Sequence, residues 1–155
     1  MRSTRIRLLE LAVAARHASS RLGLAAIRLR NAHARTGDRE LLKMLERVLK
    51  AQAALDIVAT RLEAMADLGA VMGFDVGIVR RVLAEVRASA ASIYPGITSM
   101  LAELENAVAE IAALAGVDVD TGEVNQKIDE AVRKILEEAA TVAAHRVSQI
   151  ADSST

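Results

Sequence analysis

Two long stretches of sequence, separated by a very short connection, constrain the fold most strongly. Residues 4–35 and 39–68 contain no proline, and in each of them apolar residues recur at alternating steps of three and four, the spacing of helices that pack along one stripe. Ser3 can cap the first helix, Gly37 can end it and Asp38 can cap the next. Because a connection this short makes two helices antiparallel neighbours, the sequence predicts a helical hairpin with arms of about 45 Å.

Three further helices are predicted after the hairpin, with breaks at Gly69 and Gly116. We expect them over 75–93, 95–115 and 120–150, begun by Asp75, by Pro95 and by the capping pair Asp120 and Glu123. The chain has 31 alanines among 155 residues but only one Phe and one Tyr. Alanine favours helices, whereas sheets depend on aromatic and β-branched residues. The predicted class is therefore all-α, a long antiparallel hairpin followed by three further helices.

The overall charge is balanced, but its distribution along the chain is not. Twenty basic and twenty acidic residues cancel, which excludes a global field directed at nucleic acid or membrane. Residues 1–36, however, hold eight arginines and one glutamate, a sum of +7, while residues 118–155 hold four basic and eight acidic residues, a sum of −4. We therefore divide the chain into a basic helical core, 1–117, and an acidic C-terminal helix, 118–155, and expect a basic binding surface with an acidic partner in the same chain.

The first helix carries a second apolar set, about half a turn away from the hairpin stripe: Ile6, Leu9, Val13, Leu24 and Ile27. Arginines flank this set, with Arg2, Arg5, Arg16 and Arg30 on one side and Arg7, Arg21, Arg28 and Arg35 on the other. A hairpin can bury only one stripe of each arm. The second set must therefore be covered by another subunit, by a lipid surface or by the three later helices folding back.

Signatures of catalysis are missing from the sequence. His17, His33 and His145 lack partners at metal-ligand spacing, and there is no cysteine, phosphate-binding loop or nucleophile elbow. We therefore predict no catalytic residue, no metal and no cofactor. The longest uncharged run, 88–102, has a Tyr-Pro-Gly interruption and is too short to span a bilayer. Because no signal peptide is recognisable either, we expect a cytoplasmic protein.

Several segments, in a fixed order, carry a resemblance to a known family. They are LKMLERVLKAQAALDIVATRLEAM over Leu42–Met65, the following LGAVMGF, Tyr94-Pro95-Gly96 before MLAELENAVAEI, and DEAVRKILEEAATVAAHR over Asp129–Arg146. Together with the basic-first, acidic-last layout, this order resembles the archaeal ESCRT-III-like proteins of the Cdv cell-division system. The hairpin tip is shorter than in that family. The sequence given ends at Thr155 without a proline-rich ATPase-docking motif or winged-helix tail, so it resembles a shorter paralogue.

The resemblance implies a filament-forming protein without enzymatic activity that remodels or cuts membranes in cell division or vesicle budding. Its implied partners are further copies of itself, related ESCRT-III-like paralogues, anionic membrane at the inner face and an AAA ATPase that dismantles the polymer. The eight arginines would bind membrane, and Ile6, Leu9, Val13, Leu24 and Ile27 would form the polymer interface. The motif that docks the ATPase is matched only weakly, at Arg146, Val147 and Ile150.

The acidic helix has two predicted roles, a latch over the first helix or an element exchanged with a neighbouring subunit. In the latch, Asp129, Glu130, Glu137 and Glu138 would contact the arginines, while Ile128, Val132, Ile135 and Val142 would be buried. Apolar burial is needed because exposed ion pairs each contribute only about 0–1 kcal/mol and are screened by salt.

Two other functions fit the same residues. The arginines could neutralise phosphates in a nucleic-acid-coating helical protein such as a filamentous virus coat. The scarcity of aromatic residues argues against binding of single strands but leaves duplex wrapping open. The chain could also be a plain helical-bundle adaptor, which would stay monomeric and bind neither lipid nor nucleic acid.

Overall fold

The structure is a computed structural model that describes residues 3–117 and 122–153. Every regular element in these residues is an α-helix, which confirms the all-α prediction. The helices are α1 (Thr4–Thr36), α2 (Arg39–Leu68), α3 (Gly73–Ala90), α4 (Ile97–Leu114) and α5 (Gly122–Ser153).

The first two helices form the predicted antiparallel hairpin, and local capping defines their ends. The Ser3 hydroxyl accepts a hydrogen bond from the Ile6 backbone N–H at 3.2 Å. Gly37 ends α1 in the left-handed conformation, with φ 68°, which glycine adopts without a steric penalty. The Asp38 carboxylate then accepts from the Glu40 backbone N–H at 2.9 Å and caps α2.

Small side chains allow α1 and α2 to pack closely along most of their length. Ala15 and Ala18 of α1 are fully buried at this interface. A Cβ added at Gly23 would lie 3.0 Å from the Gln52 amide nitrogen. The buried Ser19 hydroxyl donates to the backbone carbonyl of Gln52 at 3.3 Å, so the polar group in this apolar seam is satisfied.

Two of the three later helices, α3 and α5, pack on α2. Helix α5 also packs on α3, while α4 lies mainly on α3 and touches one side of α1. Ion pairs join these layers. Arg61 on α2 binds Asp75 at 2.9 Å, and Arg87 on α3 binds Glu105 on α4 at 2.8 Å.

Two predicted helix starts are wrong, for different reasons. The third helix begins at Gly73, two residues before Asp75. Asp75 therefore lies in the first turn, where it forms an ion pair with Arg61 and does not cap the helix. The fourth begins at Ile97, because Pro95 belongs to the preceding turn, whose Tyr94 carbonyl accepts from the Ile97 N–H at 3.1 Å.

The predicted end of the third helix and the predicted cap of the fifth helix also differ in outcome. The third helix ends at Ala90, three residues before the predicted Ile93. Tyr94 precedes Pro95, and helical conformation is disfavoured for a residue in that position. The predicted capping contact between Asp120 and Glu123 lies outside the described residues.

Candidate functional site

The second apolar set of α1 lies on the outside of the molecule. Relative exposures are 49% for Ile6, 69% for Val13, 57% for Leu24 and 57% for Ile27. The fifth member, Leu9, is half-buried and packs against the core. We call these five residues the outer strip. The alternative in which the later helices cover the strip is wrong for the described residues.

The outer strip is exposed because the opposite side of α1 supplies the core. Leu8, Ala15 and Leu22 are buried between the helices, and in a helix with 3.6 residues per turn the strip lies on the face turned away from them. The contact of α4 with α1 lies at one flank, where Leu11 and Ala14 line a groove with residues of α4. From Ile6 to Ile27 the strip runs for about 32 Å along one rigid helix.

Three of the predicted arginines interact with residues outside α1. Arg7 lies 3.4 Å from Glu110 of α4. Arg16 forms an ion pair with Glu63 of α2. Arg21 donates to the Tyr94 hydroxyl at 3.3 Å. These contacts lie along the two edges of the outer strip.

The remaining arginines leave most of the positive charge of α1 unneutralised. Arg28, Arg30 and Arg35 are exposed and form no ion pair with a described residue. Arg5 is exposed as well, and Arg2 lies outside the described residues. An apolar strip between cationic edges matches the pattern of helices that lie in a membrane interface. The surface suits a partner that is both anionic and apolar.

The acidic helix packs where the sequence did not predict it. Its apolar residues Ile128, Val132 and Ile135 are buried, as expected, but against α2 and α3. Val142, expected to be buried with them, is 42% exposed. The burial predicted for Val142 is therefore wrong.

The predicted contacts between the acids of α5 and the arginines of α1 are also wrong in this conformation. Asp129 forms an ion pair with Arg81 of α3, and Glu137 lies 3.9 Å from Arg133 of its own helix. Glu138 lines a shallow groove with residues of α2, and Glu130 is exposed. The acids follow α5 onto α3 and α2 because its buried apolar face determines the docking site.

The C-terminal end of α5 reaches the hairpin near its tip. Val147 and Ile150, predicted to dock an ATPase, are half-buried against the core, and Arg146 is exposed. Arg146 and Ile150 line one wall of an open groove whose other wall includes Leu24, Ile27 and Arg30 of α1. Sequence reasoning missed this groove because it joins residues more than a hundred positions apart.

The described residues contain no cluster of metal-ligating side chains. No three His, Asp or Glu side chains lie close enough together there to hold a metal ion. His145 contacts Gln149 one turn further along α5 at 3.2 Å. Over the same residues, none of the helices combines the length and the hydrophobicity that crossing a lipid bilayer requires.

Comparison with known proteins gives one informative similarity. The chain is 29% identical over 110 residues to Cell division protein B1 of Sulfolobus acidocaldarius. The aligned part covers 71% of this chain and 51% of the relative, so the chain spans about half of that protein's length. No protein-family profile matches the sequence. No solved structure matches either. The similarity is to a cell-division protein, and the helical architecture agrees with the fold expected from the resemblance.

Proposed function

We propose that this chain is an ESCRT-III-like protein of the Cdv type, which binds anionic membrane and self-assembles into filaments that remodel membrane, without enzymatic activity. The similarity to Cell division protein B1 supports a role in cell division. We place its action at the inner face of the cytoplasmic membrane.

The observation that carries the proposal is the outer strip with its arginine edges. Folding leaves four of the five apolar side chains exposed, since the hairpin buries the opposite side of α1. In a membrane interface they would enter the boundary between headgroups and hydrocarbon, while each nearby arginine would contribute on the order of 1 kcal/mol of attraction to anionic lipid.

Self-assembly would use the same helix. Any part of this strip that lipid leaves uncovered is a surface that a second copy or a paralogous subunit can cover. A membrane-bound α1 would be aligned and concentrated on a surface, which favours association with neighbouring copies. Recruitment of an AAA ATPase through Arg146, Val147 and Ile150 would first require the end of α5 to detach, since two of these residues are packed on the core.

The test combines sedimentation with vesicles and negative-stain electron microscopy. The native chain should sediment with vesicles that contain anionic lipid and form filaments on them. Val13→Asp with Leu24→Asp should abolish both while leaving helicity unchanged, because both positions are exposed on the outer strip. The matched control, Ser99→Asp with Ala113→Asp, adds the same charge on exposed positions of α4.

Each alternative function gives a different result in this experiment. Salt-sensitive binding to duplex DNA without binding to anionic vesicles would replace the proposal with a nucleic-acid-coating function. A chain that stays monomeric and binds neither ligand would support the adaptor. Equal loss in the strip variant and in its control would show that added charge, and not the strip, is responsible.

A further inference from the structure

The groove between α1 and the end of α5 is lined by apolar and by cationic side chains. Its lining is largely apolar, with Leu45, Leu49 and Ala26 buried there, but it also includes the polar residues Ser20 and Gln52. Two arginines, Arg30 from α1 and Arg146 from α5, lie among its lining residues. The groove has a volume of about 380 Å³.

Both arginines are free to bind an anion. Arg30 and Arg146 are exposed and form no ion pair with a described residue. Most other arginines of the later helices are engaged, such as Arg81 with Asp129 and Arg87 with Glu105. Two cations beside one groove without a described counter-ion favour an anionic occupant, and guanidinium groups bind phosphate oxygens with paired hydrogen bonds.

The apolar walls restrict that occupant further. Leu24 and Ile27 belong to the outer strip and also line the groove, so the groove opens onto the surface that we propose to face the membrane. A volume near the lower end of the usual ligand-pocket range of roughly 300–1,000 Å³ accommodates a headgroup phosphate and the first part of a hydrocarbon chain. A free phosphate would leave the apolar walls uncovered, and a neutral chain would leave the arginines without an anion.

We infer that this groove binds a single anionic phospholipid, with its phosphate between Arg30 and Arg146 and the start of its hydrocarbon chain against Leu24 and Ile27. The inference rests on the proposed membrane function and deepens it. It makes the C-terminal end of α5 part of the lipid site. Lipid binding then stabilises α5 in its docked position, because a ligand that touches two elements favours the conformation in which both are in place.

The test separates the groove from the membrane surface. A short-chain anionic phospholipid, kept below its micelle concentration, is titrated into the full-length chain while NMR follows the methyl groups of Leu24, Ile27 and Leu49. We expect saturable shifts at these methyls. Inorganic phosphate alone and a zwitterionic lipid with the same chains should each produce much smaller shifts.

A charge reversal at each of two positions on α5 supplies the matched comparison. Arg146→Glu should weaken binding of the anionic lipid roughly tenfold or more, since one cation near an anionic surface is worth about fivefold and reversal adds repulsion. Arg133→Glu makes the same charge change about three and a half turns earlier on α5, where its side chain lines a different groove with Asp129 and Glu137, and should leave lipid binding unchanged.

Several results would overturn the inference. Equal shifts with inorganic phosphate would reduce the groove to an anion site, and equal shifts with the zwitterionic lipid would reduce it to an apolar surface. Methyl shifts that grow with protein concentration alone would show that a second copy occupies it, and equal weakening by the two α5 variants would remove the role of Arg146. Failure of the native chain to bind anionic vesicles would refute the proposed function. The titration with monomeric lipid would still show whether the groove binds an anionic phospholipid.

Discussion

The two arms of the hairpin have nearly the same length, 33 residues in α1 and 30 in α2, but opposite relations to the rest of the molecule. The second arm is enclosed, since α1, α3 and α5 all pack on it. Among its large apolar residues only Leu68, at its last position, is strongly exposed. The first arm presents four of its large apolar residues to solvent. We conclude that α2 holds the fold together, whereas the outer side of α1 is available for binding.

The largest effect is expected at the centre of α2. Leu55 is fully buried, so Leu55→Ala removes apolar contacts and leaves a cavity, and the free energy of unfolding should fall by about 2–5 kcal/mol. Val13→Ala, at an exposed position of α1, should change it by less than about 0.5 kcal/mol. Urea denaturation followed by circular dichroism measures both. Similar losses at the two positions would remove the distinction between the arms.

The second largest effect concerns binding and not stability. Arg21, Arg28 and Arg35 lie on one edge of the outer strip, and replacing all three by Ala should weaken binding to anionic vesicles by about 3 kcal/mol, roughly a hundredfold. The charge-matched control replaces the exposed residues Arg80, Lys127 and Lys134 of α3 and α5 by Ala. Vesicle sedimentation at low salt compares the two triple variants. An equal loss in the control would mean that total charge alone governs binding.

A third comparison separates an enclosed ion pair from one at the surface. Glu105, whose side chain is 17% exposed, binds Arg87 between α3 and α4, so Glu105→Ala should lower the free energy of unfolding by about 1–3 kcal/mol. Glu63 pairs with Arg16 of α1 and is 41% exposed. Because exposed pairs contribute little, Glu63→Ala should cost less than about 1 kcal/mol. Thermal denaturation of both variants checks that Glu105→Ala costs more than Glu63→Ala. A larger loss for Glu63→Ala would show that the contacts of α1 stabilise the fold more than those among the later helices.

The smallest effect is expected at the close contact between the arms. Alanine is a better helix former than glycine by about 1 kcal/mol. A Cβ at Gly23 would meet only the end of the flexible Gln52 side chain. The free energy of unfolding of Gly23→Ala should therefore stay constant or rise by less than about 1 kcal/mol in a urea titration. A loss of more than about 1 kcal/mol would show that Gln52 cannot move away.

The hairpin could be predicted from sequence because its determinants are local. Ser3, Gly37 and Asp38 act within a few residues of the helix ends that they define. The heptad spacing also separated the buried stripe from the outer strip, although Leu9 proved half-buried. These features depend on the period of the helix alone, and the sequence contains that information directly.

The position of α5 could not be predicted because it depends on tertiary packing. Summed charges favoured the arginines of α1 as partners for Asp129, but Arg81 of α3 is adjacent once Ile128 and Ile135 are buried. The role of Asp75 could not be predicted for the same reason, since it forms an ion pair with Arg61 of α2 instead of the expected helix cap. A charge total identifies a surface, but apolar packing determines which charges meet.

Entry of the outer side of α1 into the membrane has a direct spectroscopic test. The chain contains no tryptophan, so Val13→Trp places a single reporter at the most exposed position of the outer strip. On addition of anionic vesicles its fluorescence should shift to shorter wavelength and be quenched by a quencher attached to the lipid chains. Unchanged emission from protein that sediments with those vesicles would contradict the claim, because the chain would then bind through another surface.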